Sequence, residues 1–325
     1  MRIFRHYQDL PADARGGAVA LGNFDGVHRG HREVLKAARA AARDLGGPWQ
    51  VMTFEPHPRA FFHPGQPPFR LTPFRIKARE IEALGVDDLF MQHFDADFAA
   101  LDADAFVEEV LIRGLGVRHV VVGYDYVFGK GRQGTVAFLD DKARAHGFGL
   151  TCVPPAGEQS GRVFSSSRVR EALEEGDTAT AALVLGRPWE IEGRVEAGDA
   201  RGRAIGFPTA NVPLGDYARP RFGVYAVWAG VDAGAGTVWT PGVANVGQRP
   251  TFETEEPMLE VHLFDTDRDL YGRHLRVALA GFIRPERRFD GLDALKAQIA
   301  EDGARARRIL AESDMQPGSR ESLEP

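Results

Sequence analysis

The sequence is nearly without cysteine: Cys152 is the only one among 325 residues. One thiol cannot close an internal disulfide, and no Cys cluster offers structural zinc a site. A disulfide-stapled secreted scaffold and a zinc ribbon are therefore both excluded. Long apolar runs are missing as well. No stretch approaches the ~18 uninterrupted apolar residues of a membrane span, and the opening MRIFRHYQDLPADARGG has no apolar h-region, so neither a transmembrane helix nor a secretory signal is expected. Positive charge is in deficit, with 40 Lys and Arg against 46 Asp and Glu, a net charge of −6. Without a basic field a chain cannot grip long nucleic acid through its phosphates, so no nucleic-acid partner is expected. Small anions need only a local site. A Walker A string, G-x-x-x-x-G-K-[ST], is absent too.

What the chain does have is a balanced globular composition, 43% hydrophobic and 26% charged, which excludes disorder as a description of the whole. Its length suits two domains of ~150 residues each. The expectation is a soluble, cytoplasmic, two-domain protein, with homo-oligomerisation left open. The 37 glycines and 20 prolines matter through where they stand.

The first half alternates β-like runs (18–21, 49–54, 86–90, 119–122) with helical patterns (from about Gly30 to Leu45, 76–84, 103–115). That alternation predicts a parallel sheet with helices on both faces. After about Leu183 helical periodicity stops and Gly186-Arg187-Pro188 punctuates the chain. Short β-like runs follow at 189–195, 223–229, 237–243, 258–264 and 275–279, then one helix near 292–310. Closely spaced strands predict a small antiparallel barrel or sandwich. The expected division is 1–185, 186–312 and a disordered tail over 313–325.

Gly22-Asn23-Phe24-Asp25-Gly26-Val27-His28-Arg29-Gly30-His31 stands between a strand and a helix. Open α/β sheets bind ligands at that edge, where free N–H groups and the positive end of the helix dipole favour phosphate. His28 and His31, three apart, can point to one side and donate to charge on a transferring phosphoryl group. The spacing alone equally suits two surface histidines. Ser165-Ser166-Ser167 stand just before a helical run that opens at Arg168, a composition for a capped helix end and a bidentate phosphate contact. Pro56, Pro58, Phe62 and Phe128 could wall a planar ring, though Phe62 and Phe128 suit core packing as well.

The ten-residue string resembles the G-x-F-D-G-x-H-x-G-H signature of the bacterial bifunctional riboflavin kinase/FAD synthetase family. Thr53-Phe54-Glu55-Pro56-His57-Pro58, the 122–129 stretch VGYDYVFG and Ser165-Ser166-Ser167-Arg168-Val169-Arg170 are similar to that family in the same order. So are Gly206-Phe207-Pro208-Thr209-Ala210-Asn211, the 242–252 stretch GVANVGQRPTF and Leu259-Glu260-Val261-His262. The resemblance covers roughly residues 15–310. It implies that ATP phosphorylates riboflavin to FMN and ADP, and that a second ATP converts FMN to FAD and pyrophosphate, with Mg²⁺ on the nucleotide.

By the same resemblance, His28 and His31 serve adenylyl transfer and Glu260 is the base of the kinase. Gly22, Phe24, Asp25, Gly30, Asp125, Ser165, Ser166, Ser167, Arg168, Gly202, Gly206 and Pro208 would contact nucleotide, and Pro56, Pro58, Phe62 and Phe128 flavin. Thr209 and Asn211 would hold the metal, a role that neutral oxygens can fill for Mg²⁺; read alone, Pro-Thr is simply a turn. Alternation puts Glu260 and His262 on one strand face and Leu259, Val261 and Leu263 on the other. Two other readings stay open: an H-x-G-H nucleotidyltransferase with a different phosphate substrate, and a non-catalytic flavin binder.

Overall fold

In the computed structural model the described residues are 1–196, 207–248, 256–266, 269–313 and 315–318. They form two compact units, one of residues 1–67 and 74–164, the other of 68–73 and 165 onward.

The first unit is built on six parallel strands: β1 (Arg2–Phe4), β2 (Ala18–Leu21), β3 (Trp49–Glu55), β4 (Asp88–His93), β5 (His119–Gly123) and β6 (Gly149–Val153). Their order is β1-β4-β3-β2-β5-β6. Side chains alternate across β2, so Ala18 and Ala20 join one core and Val19 and Leu21 the other. Small alanines on the first face let helix α1 (Arg29–Leu45) lie close, burying Val34, Leu35, Ala38 and Ala42. The second face is covered by the helical segment Phe106–Leu115, through Phe106, Val107, Val110 and Leu111. Helices on both faces are what the sequence pattern called for.

Two short segments complete this unit where it matters for the site. Helix α2 (Pro58–Phe62) follows β3, and helix α3 (Phe74–Glu82) buries Ile76, Lys77, Ala78, Glu80 and Ile81.

The second unit carries six antiparallel strands: β7 (Trp189–Arg194), β8 (Ala210–Pro213), β9 (Gly223–Val231), β10 (Thr240–Gln248), β11 (Pro257–Leu263) and β12 (His274–Arg284). They run in the order β7-β12-β9-β10-β11-β8. A further bridge, Glu196 to Asn211, links the chain just past β7 to β8 and brings the two ends of the order together as a near-barrel. The helix Leu292–Glu312 covers Val224, Ala226, Val243 and Ile283 with Ala306 and Leu310. Gly281 makes room for it, since a Cβ there would meet Ile309 Cγ2 at 2.7 Å. Within this unit a buried Arg276 guanidinium binds Glu190, the Gly234 carbonyl and Thr237 Oγ1.

The structure departs from the sequence reading in several places, and β1, β6 and the helix Val136–His146 are elements the pattern did not mark. By pattern the chain divides near Gly186, whereas by packing the helices Ser166–Glu175 and Thr178–Leu185 go with the second unit. Thr178 Oγ1 donates to the Ala280 carbonyl and Arg170 Nε to the Phe69 carbonyl, contacts that periodicity cannot reveal. The strand expected at 237–243 starts instead at Thr240, because Thr237 is tied into the turn Gly234–Gly236 by its hydroxyl. β8, with only Ala210 and Val212 apolar and Asn211 and Pro213 inside it, was not expected as a strand. Of the expected tail, 314 and 319–325 lie outside the described residues.

The C-terminal helix is pinned by a fork of Arg284 on Asp302, with Nη2 to Oδ2 at 2.7 Å and both side chains largely buried. Gln298 also donates to Asp302 Oδ1. Removing one member leaves a buried charge without its counter-ion, so Asp302→Ala is expected to destabilise the second unit by about 3 kcal/mol. Urea unfolding followed by tryptophan fluorescence measures this, and an unshifted midpoint would show that the pair is not holding the helix.

Candidate active sites

The strand order reverses beside β2: the chain runs outward through β3 and β4, then returns to place β5 on the other flank of β2. Ligands of open α/β sheets bind outside the carboxyl ends of the strands at such a switch point. Two loops meet that description here, 22–28 after β2 and 124–135 after β5.

The first loop has an unusual backbone. Phe24 at φ 48°, Gly26 at φ 94° and Val27 at φ 44° all occupy the left-handed region. Bulky and β-branched L-residues avoid it, and they persist there only when their surroundings over-determine them. Both side chains are fully buried in the core beneath α1, so packing supplies that restraint. Gly22 is needed at the loop's start, because a Cβ there would press on the Phe24 ring at 3.1 Å.

His28 is the N-cap of α1, its Nδ1 accepting from the His31 backbone N–H at 3.2 Å. In a neutral ring that places the proton on Nε2, which makes Nε2 a donor. The two imidazoles stack, centroids 3.5 Å apart and planes 18° from parallel. The structure therefore brings His28 and His31 together at a helix N-terminus, in the loop that also holds a buried Asp25. Gly30 lies under this pair: a Cβ would meet the Phe164 carbonyl at 2.9 Å and the His28 ring at 3.1 Å. In the second loop Asp125 is exposed. Its Oδ1 would lie 3.4 Å from a Cβ on Gly123, the last residue of β5.

The suggested flavin wall divides. Pro58 opens α2 and Phe62 closes it, with Phe62 57% exposed and its ring edge-on to Phe61 and Phe94. Pro56 immediately precedes α2's N-cap, His57. Phe128, by contrast, is buried against Phe106, Tyr126 and Phe138. No direct contact joins it to Phe62; a run of rings through Phe94, Phe98 and Phe106 lies between them. Burial drives the Tyr126 hydroxyl pKa well above its usual value, so this ring stays neutral.

In the second unit, Ser165 caps the helix Ser166–Glu175 by accepting from the Arg168 N–H. Ser166 and Ser167 thus lie inside its first turn rather than ahead of it. The near-barrel holds the other cluster. Antiparallel register sets Glu260 of β11 opposite Asn211 of β8 on one side and Asn245 of β10 on the other. Residues directly opposite share a face, so Asn211, Glu260 and Asn245 form one polar row. Asn211 is only 3% exposed. Asn245 Nδ2 donates to Glu286 Oε1 at 3.0 Å, and His262 Nδ1 contacts the Pro208 carbonyl at 2.9 Å.

The opposite face of the same strands lines a cavity of about 320 Å³ with Ala210, Val261 and Leu263, and Pro208, Thr209 and Tyr271 complete its wall. The segment 207–209 passes from the polar row to the cavity. Gly202, Gly206 and the 249–252 stretch lie outside the described residues. Asn245 and Glu286 carried no assigned role in the sequence; strand register reveals the first and its hydrogen bond to Asn245 the second.

Gly30→Ala is expected to push the His28 ring off its partner. Imidazole proton shifts of His28 and His31 would lose their mutual ring-current displacement, and unchanged shifts would contradict the packing described.

Comparison with known proteins follows this division. The sequence model of the FAD synthetase family matches residues 10–168, and that of riboflavin kinase matches 185–310. The bifunctional riboflavin kinase/FMN adenylyltransferase of Escherichia coli K12 is 44% identical over 311 residues, 95% of this chain and 98% of that one. Its namesake from Bacillus subtilis is 41% identical, covering 90% and 92%. A solved structure from Streptococcus pneumoniae, described as a macrolide-efflux protein, superposes with TM-score 0.82 at 32% identity over 94% of this chain and 98% of its own. Among the described residues no helix is long and apolar enough to cross a membrane. The chain belongs to the bifunctional riboflavin kinase/FMN adenylyltransferase family.

Proposed function

We propose that this chain makes both flavin cofactors: riboflavin and ATP give FMN and ADP, and FMN and a second ATP give FAD and pyrophosphate. The observation that supports this reading is that the FAD synthetase model matches residues 10–168 and the riboflavin kinase model 185–310, with the paired histidines at the end of α1 in the first stretch and the Asn211–Glu260–Asn245 row in the second. The reading places the enzyme in the cytoplasm, with ATP as co-substrate in both steps.

The two reactions ask for different chemistry, and the residues differ accordingly. In adenylyl transfer the FMN phosphate attacks the ATP α-phosphorus. That nucleophile is already anionic, so no protein base is needed, and the work is positioning and charge stabilisation. His28 and His31 donate toward the α-phosphoryl oxygens at the N-terminus of α1, where Gly22, Phe24, Asp25 and Gly30 shape the approach. Asp125 is assigned to nucleotide in this unit, and Ser165, Ser166, Ser167 and Arg168, at a helix start of the second unit, are assigned to nucleotide as well. Pro56, Pro58, Phe62 and Phe128 are assigned to the flavin side, Phe62 as the exposed ring.

In the kinase reaction the nucleophile is the neutral 5′-hydroxyl of the ribityl chain. A carboxylate that takes its proton as the oxygen attacks the γ-phosphorus lowers the barrier, and Glu260 fills that role. Thr209 and Asn211 would hold Mg²⁺. Their oxygens are hard and neutral, a donor set that suits Mg²⁺ when phosphates and water complete the shell. The ion, when bound, would neutralise charge on the ATP phosphates. Pro208, with Gly202 and Gly206, is assigned to the nucleotide beside it.

The test is chromatography of flavin products over time. The purified chain with ATP and Mg²⁺ is expected to turn riboflavin into FMN and then FAD. His28→Ala or His31→Ala should cut FAD formation about 100- to 1,000-fold while FMN still accumulates. Glu260→Gln should cut FMN formation by at least about 100-fold while added FMN still becomes FAD. Failure to consume riboflavin would leave one of the two other readings, a transferase for a different phosphate or a non-catalytic flavin binder.

A further inference from the structure

The first unit buries an ammonium that neither reaction uses. Lys77, on α3, has a side chain with 0% exposure. Its Nζ donates to Glu55 Oε1 and to Thr53 Oγ1, each at 3.2 Å. Thr53 Oγ1 in turn donates to the Asn23 carbonyl at 3.0 Å.

Direction matters in this chain of hydrogen bonds. An ammonium can only donate, so the hydroxyl must accept from it. That leaves the hydroxyl's own proton for the Asn23 carbonyl and for no other acceptor. The carbonyl belongs to the peptide that joins Asn23 to Phe24, and Phe24 is the first residue of the loop held at positive φ. Rotation of that peptide plane sets the Phe24 φ. Glu55 is the second anchor: it balances the buried charge and fixes Nζ at the carboxyl end of β3. A purely structural tie between α3 and β3 would need the ion pair alone and no hydroxyl between ammonium and loop.

We propose that Lys77 is a positioning residue for adenylyl transfer, acting through Thr53 to hold the Asn23–Phe24 peptide and so the loop that delivers His28 and His31. The inference rests on the reading that this loop handles the ATP phosphates. Lys77 touches neither substrate; its effect is on where the two imidazoles stand when charge develops.

The experiment uses the full chain, with Lys77→Met, Thr53→Val, the double variant and His28→Ala beside wild type. Riboflavin phosphorylation by the same molecules is the internal control, and urea unfolding reports stability. Lys77→Met is expected to lower kcat for FAD formation about 100-fold, the scale that misplacement of catalytic groups by about 1 Å produces. KM for ATP and for FMN should stay within about threefold, since binding is lost less than transition-state geometry. Thr53→Val, which keeps the Lys77–Glu55 pair, should lower kcat about tenfold or more. The double variant should be no worse than Lys77→Met, as expected of residues acting in series.

Unchanged kcat in Thr53→Val would overturn the proposal even if Lys77→Met fails to fold. Losses that multiply in the double variant would overturn it as well. If His28→Ala keeps full FAD formation, the reading of the loop falls and the inference falls with it. If His28→Ala loses activity and Lys77→Met does not, only the inference falls.

Discussion

The backbone between Gly22 and His28 has to be held from several sides. Phe24 and Val27 adopt a conformation that costs L-residues about 1–3 kcal/mol each. Their side chains are locked into the core under α1, and the Asn23 carbonyl is tied to β3 through Thr53. The strained loop ends at the N-cap of α1, so its shape sets where His28 and His31 stack. Small residues on β2 allow α1 to lie close, and the strand order places that helix end at the switch point. The first unit thus converts packing free energy into the position of two imidazole rings.

The second unit reaches a different end by a different route. Its polar groups are set by strand register rather than by a strained turn. One row across β8, β11 and β10 puts Asn211, Glu260 and Asn245 on one face, while alternate residues of β8 and β11 line the cavity. A slip of one residue in β11 would send Glu260 to the cavity side and break the row. Strands β10 and β8, paired with β11 on both edges, make that slip expensive. The proposed reading asks a carboxylate of one unit to meet a neutral alcohol and the stacked imidazoles of the other to meet an anionic phosphate.

Much of this was legible in the sequence, for reasons that are visible residue by residue. Short continuous apolar runs marked β2 to β5, because both faces of that sheet are covered, and a 3.6-residue period marked α1, α3 and the segment Phe106–Leu115. Glycines marked the loop after β2, since a Cβ on Gly30 would collide with the Phe164 carbonyl and one on Gly22 would crowd the Phe24 ring. Alternation also placed Glu260 and His262 together correctly. The unseen parts depend on partners distant in sequence. β8 is short and carries Asn and Pro, so only its pairing with β11 makes it a strand. The two helices after Phe164 look like part of the first pattern but pack with the second unit. Phe62 and Phe128 suit a ring wall or core packing equally by sequence, and the structure sets Phe62 in the open and Phe128 in the core. Lys77 carried no role in the sequence, and only its contacts with Glu55 and Thr53 distinguish it.

The central claim is that two separately built sites act in turn on one flavin. Complementation in solution tests it most directly: His28→Ala and Glu260→Gln chains, each purified, are mixed with riboflavin, ATP and Mg²⁺, and the flavins are followed. The account predicts that neither chain alone makes FAD from riboflavin and that the mixture does, the first supplying FMN and the second adenylylating it. A mixture that stops at riboflavin or at FMN would show that one substitution had disabled both activities, and would contradict the account.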